Sequence, residues 1–109
     1  MLLPEISVSE AHLRLAGPTP PRLIDVREPE EFALARIPGA ELLPLSQWPA
    51  MATEKLTDSA QPLLLLCHHG VRSGQATAFL VQNGFAEATN IAGGIDAWSR
   101  EIDRAVPRY

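Results

Sequence analysis

The chain has 109 residues, 46% of them apolar and 20% charged, with a net charge of −4. That balance supports a globular core and excludes a disordered chain, and the acidic excess argues against nucleic acid or an anionic membrane as partner. The single cysteine excludes an internal disulfide and a cysteine-based zinc site.

In chain order, Met1–Glu5 lacks a basic region and a long apolar run, so no leader is read and the cytoplasm is the expected location. The whole chain, 1–109, reads as one domain. Glu5–Val8 is a short edge strand, and Ser9 is the expected N-cap of a helix through about Ala16. Gly17-Pro18-Thr19-Pro20-Pro21 stops that helix. Arg22–Val26 is the next strand. Glu28-Pro29-Glu30-Glu31 starts a short helix, with proline and acids where the first turn favours them. Arg36–Ala40 turns into a brief strand at Glu41–Leu43, and a helix of modest quality runs from Ser46 to about Leu56.

Leu63–Leu66 is an apolar run too short to span a membrane, hence a buried strand. Cys67–Arg72 forms a tight loop, followed by a helix with Ala76, Phe79 and Leu80 on one face. Asn83-Gly84 ends that helix, Ala88–Ile91 is the last strand, and Gly93-Gly94 opens a final helix through about Ile102. The tail Arg104–Tyr109 carries no readable element. Strands alternate with helices throughout, which is the pattern of a mostly parallel sheet covered on both faces.

Cys67 falls at the carboxyl end of a buried strand, where parallel sheets place their ligand sites. A following helix presents unpaired N–H groups and the positive end of its dipole, and a loop wrapped round the sulfur aims further N–H groups inward. With the Arg72 cation, that setting is expected to favour the thiolate, the reactive form of cysteine. Gly70 is expected where the loop needs a positive φ or a close backbone approach. Ser73 is expected to cap the following helix and to reach the sulfur. Arg72 has two readings: contact with a substrate anion, or an ion pair with a neighbouring carboxylate that holds the loop. Asp25 and Arg27 lie on the same rim and read first as a structural ion pair. No metal is assigned to His68 and His69, because adjacent residues point different ways and no acidic partner is close in sequence; they are expected to line the mouth of the loop. Trp48, Trp98, Phe32, Phe79 and Phe85 read as core or near-core, and His12 as surface.

Cys67-His68-His69-Gly70-Val71-Arg72-Ser73 resembles the active-site loop of the rhodanese (sulfurtransferase) family. Leu23-Ile24-Asp25-Val26-Arg27-Glu28 with Ile37-Pro38-Gly39-Ala40, and Gly93-Gly94-Ile95-Asp96-Ala97-Trp98, resemble the family's two other motifs in the same order. The pair before Ile37, often Gly-His in the family, is Ala35-Arg36 here. The resemblance implies a three-layer α/β/α rhodanese-like fold with a mostly parallel sheet of about five strands. It also implies a catalytic Cys67, with His68, His69, Gly70, Val71, Arg72 and Ser73 at the substrate and Asp25 and Arg27 in support.

The expected activity is transfer of a sulfane sulfur from thiosulfate or a persulfide to cyanide, a small thiol or a protein thiol. It needs no cofactor and proceeds through a Cys67 persulfide. The expected partners are small sulfur anions and thiols, with a sulfur-donor or thiol-acceptor protein as a further candidate, and neither nucleic acid nor membrane. Two alternatives stand beside it. One is a non-catalytic binding or regulatory module on the same fold. The other is a phosphatase or arsenate reductase of the related fold, whose loop has five residues between cysteine and arginine where this one has four.

Overall fold

The computed structural model describes residues 3–109. The reading of the chain start as leaderless falls partly on Met1 and Leu2, which lie outside the described residues.

Strands β1 (Glu5–Ile6), β2 (Arg22–Asp25), β3 (Glu41–Leu42), β4 (Leu63–Leu66) and β5 (Ala88–Ile91) form one sheet in the order β1-β5-β4-β2-β3. Every pairing is parallel, with Leu65 opposite both Ile24 and Asn90. Helices α1 (Val8–Leu15), α2 (Pro29–Leu34), α3 (Ala50–Lys55), α4 (Val71–Gln82) and α5 (Gly94–Glu101) connect or follow the strands. The architecture is the expected one, and the sheet is wholly parallel.

Strand β4 shows why. Leucine alone favours a helix, but β4 is central, and all four of its leucines are buried. Side chains alternate across a strand. Leu64 and Leu66 therefore join Leu23, Ile91 and Trp98 on the face covered by α1 and α5. Leu63, Leu65 and Cys67 join Ile24, Leu56, Ala76 and Leu80 on the face covered by α3 and α4. Burying each leucine contributes about 1.5–3 kcal/mol.

Several local expectations need correction. Ser7, not Ser9, caps α1 and accepts from Glu10 N at 3.2 Å. Strand β1 stops at Ile6, so the helix starts two residues earlier; Ser7-Val8-Ser9-Glu10 has the Ser-x-x-Glu spacing of a capping box. The helix expected over 46–56 is two pieces, a 3-10 turn at Leu45–Gln47 and then α3, divided at Pro49. Helix α4 begins at Val71, inside the stretch expected to be loop, and Gly70 rather than Ser73 is its N-cap. No described helix is long and apolar enough to cross a membrane.

Candidate active site

The carboxyl ends of β2 and β4, and the first turns of α4 and α5, meet at Cys67. Cys67 is 1% exposed, with apolar residues of the α3/α4 face on one side. On the other side its Sγ accepts from Gly70 N at 3.1 Å and lies 3.3 Å from Ser73 Oγ. The sequence led us to expect several inward amides; among the described residues, one backbone N–H and one hydroxyl reach the sulfur. The N–H groups of Val71, Arg72 and Ser73 lie in the turn before the Gly74 N to Gly70 O bond, so they belong to the unpaired end of α4. Val71 itself is 72% exposed.

Gly70 makes this geometry possible. Its φ is +104°, and a Cβ there would approach Gly93 N at 3.3 Å and Ile91 O at 3.4 Å. From below, α5 holds the loop: Ile95 N donates to Cys67 O at 2.9 Å and Asp96 N to His68 O at 3.1 Å. Two N–H groups at the start of α5 thus find their acceptors in the loop. The contact requires Gly94, whose φ is +58° and whose added Cβ would fall 2.4 Å from Cys67 O and 2.5 Å from His68 O. Gly94→Ala is therefore expected to cost more than about 1 kcal/mol in a urea titration.

Ser73 is fully buried, and its hydroxyl also lies 2.6 Å from Asn90 Oδ1. Asn90 Nδ2 donates to Gly70 O at 3.0 Å and to Glu5 Oε2 at 2.9 Å. This buried asparagine thus ties the loop to β5 and fixes the Ser73 side chain against the sulfur. Sequence reasoning missed it; an amide inside a short strand, a poor strand former, is the signal that was there.

Arg72 grips Glu31 with both terminal nitrogens, at 2.6 and 2.8 Å. Glu31 also accepts from Glu28 N at 3.1 Å and from the Tyr109 hydroxyl at 2.7 Å. Four donors surround one carboxylate. The Arg72 bonds, against the cost of burial, hold its pKa at about 2 instead of 4.5, and the Arg72 pKa is raised in turn. A depressed carboxylate pKa contributes stability that is complete above the unfolded value and is lost as pH falls towards the folded one. Melting temperatures measured from pH 5 down to pH 2 are expected to fall less steeply for Glu31→Gln than for the wild type.

Asp25 and Arg27 are fully buried and bonded to each other, with Arg27 Nη2 at 2.7 Å from Asp25 Oδ2. Neither hydrogen-bonds the sulfur.

His68 and His69 stack at 4.0 Å with 26° between their planes, so these neighbours do not point apart as expected. Asp96, from the first turn of α5, supplies the acidic neighbour that the local sequence lacked: ligand atoms of the three residues lie within 4.8 Å of one another. Its carboxylate is shared by Arg100 Nε at 3.1 Å and Arg108 Nε at 3.0 Å. Burial and the neighbouring His69 lower the pKa of His68, which favours its neutral form.

The far face of His68 is covered by Tyr109, at 4.1 Å and 10°. Nothing in the sequence of the 104–109 tail signalled that contact. The tail is irregular yet anchored, with Val106 buried and its carbonyl bonded to Ser99 Oγ.

The similarity of this chain to known proteins bears on this arrangement. The family model for the rhodanese-like domain matches residues 7–101. A sulfurtransferase of Allochromatium vinosum is 38% identical over 96 residues, covering 88% of this chain and 88% of that protein. The Arabidopsis thaliana rhodanese-like/PpiC domain-containing protein 12, chloroplastic, is 38% identical over 111 residues; the match covers 96% of this chain but only 37% of that longer protein. Among solved structures, the human single-domain sulfurtransferase TSTD1 aligns with a TM-score of 0.76 and 32% identity, over 90% of this chain and 96% of that one.

Proposed function

Because this chain belongs to the rhodanese-like domain family, we propose that it is a sulfurtransferase working through Cys67. The observation that carries the reading is the lone cysteine at the end of β4. Its Sγ accepts from Gly70 N–H and lies beside Ser73 Oγ at the start of α4, and no carboxylate among the described residues is bonded to it.

In the proposed reaction the Cys67 thiolate attacks the outer sulfur of thiosulfate or of a persulfide. A new S–S bond forms at Cys67 as the donor's S–S bond breaks, and sulfite or a thiolate leaves with the electron pair. The acceptor, cyanide or a thiol, then attacks the outer sulfur of the Cys67 persulfide and restores the thiolate. Neither half requires a general acid when the leaving group is already a stable anion. The Gly70 N–H faces the negative charge on Cys67, with Ser73 Oγ beside it, and the unpaired start of α4 adds the positive end of its dipole.

Arg72 has the loop-holding role in this scheme, since Glu31 engages both of its terminal nitrogens. The four-residue spacing between Cys67 and Arg72 favours a single sulfur over a tetrahedral phosphate. Thiocyanate release from thiosulfate and cyanide, run beside hydrolysis of an aryl phosphate, tests the reading. Phosphate release without thiocyanate would overturn it.

A further inference from the structure

We propose that Tyr109 is a specificity-determining residue of this site, forming with His68 and His69 an aromatic wall that admits small reactants to Cys67 and slows bulky ones. The inference rests on the sulfur-transfer reading for its biological meaning, but its geometry is independent of that reading.

Tyr109 touches the loop at His68 and is linked to its other end through Glu31. Its ring lies on His68, the residue next to Cys67, at 4.1 Å and nearly parallel. Its hydroxyl donates at 2.7 Å to Glu31, the carboxylate that grips Arg72 at the other end of the loop. The same hydroxyl accepts from the buried Arg27 at 2.8 Å. Burial and the Glu31 carboxylate keep the phenol protonated, with a pKa of about 12, so it retains the proton it donates. Tyr109 is thus held at His68 directly and at Arg72 only through Glu31, beside a cysteine that is 1% exposed.

The wall is also braced from behind. Val106 is buried, and Arg108 is fixed to Asp96, so the backbone on which Tyr109 is carried is tied to α5. His69 continues the stack outwards at 4.0 Å from His68. Tyr109 itself is 40% exposed, which makes it a lip of the site rather than a plug within it.

A single cysteine makes the test unambiguous. Alkylation of Cys67 by iodoacetamide is compared with alkylation by a fluorescein-linked iodoacetamide, which carries the same reactive carbon and a much larger body. Tyr109→Ala is expected to raise the bulky-to-small rate ratio about two- to ten-fold, the factor that corresponds to loss of one aromatic stack. Tyr109→Phe keeps the ring on His68 but loses the hydroxyl's bonds to Glu31 and Arg27, and is expected to give a ratio between those of the wild type and Tyr109→Ala.

A mere loosening of the fold would accelerate both reagents alike and leave the ratio unchanged in Tyr109→Ala; that result would overturn the wall. In the transfer assay, Tyr109→Ala is expected to lower KM for glutathione as acceptor relative to KM for cyanide. If the wild-type protein transfers no sulfur, the functional reading fails, and the wall is still decided by the alkylation ratio.

Discussion

Cys67→Ser is expected to abolish sulfur transfer, with a loss on the order of 10³-fold or more, the scale seen when a covalent nucleophile is removed. Incubated with thiosulfate and passed through a desalting column, the wild-type protein is expected to gain the mass of one sulfur atom, and addition of cyanide to remove it. The serine variant should gain nothing. The reason lies in the element that must accept the sulfur. A hydroxyl has nearly the same shape, so the bond from Gly70 N has an acceptor in both proteins. An alcohol is far less ionised than a thiol near neutral pH and does not hold a sulfane sulfur. A wild-type protein that takes up no sulfur from either thiosulfate or a persulfide would leave the fold as a binding module.

The second large effect is on stability. Arg27 is buried, with a full set of acceptors for its guanidinium: Asp25 for Nε and Nη2, Ala35 O at 2.6 Å, Glu31 O at 3.3 Å and Tyr109 Oη. Burial opposes its charge, and the bonds to Asp25 and Tyr109 outweigh that opposition, so its pKa is raised. Asp25 accepts from Arg27 N as well as from the guanidinium.

Asp25→Asn or Arg27→Met leaves the other charge buried without its partner, at a cost of about 3–5 kcal/mol. For a domain whose total stability is about 5–15 kcal/mol, that is a large share, and the urea midpoint should fall accordingly. Asp25→Asn combined with Arg27→Met is expected to cost less than the sum of the two, because neither charge is then stranded. Single variants within about 1 kcal/mol of the wild type would mean that the pair is not the keystone of this rim. Arg27→Lys is no rescue, since one ammonium cannot reach this spread of acceptors. The pair also bears on the site, because the nitrogen that bonds Glu31 O also holds the Tyr109 hydroxyl.

The sequence alone determined the architecture. The alternation of short apolar runs with helical stretches requires a parallel sheet with two covered faces. Four leucines between Pro62 and Cys67 require a strand buried on both sides, which puts the cysteine at its carboxyl end. Gly70 and the Gly93-Gly94 pair were legible because a positive φ and a close backbone approach exclude side chains. The helix start before Glu10 was misplaced although the Ser7–Glu10 spacing was in plain view. The start of α4 was misplaced because the glycine at its N-cap reads equally well as loop.

Only the tertiary structure decided what Arg72, Ser73 and the histidines do. Each depends on a partner distant in the chain: Glu31 lies 41 residues from Arg72, Asn90 lies 17 from Ser73, and Tyr109 bonds a residue 78 positions away. Local propensity and spacing describe neighbours within a turn or two. The partner of a charge or a hydroxyl is chosen when the sheet order β1-β5-β4-β2-β3 brings the ends of separate strands to one rim, and no periodicity encodes that meeting.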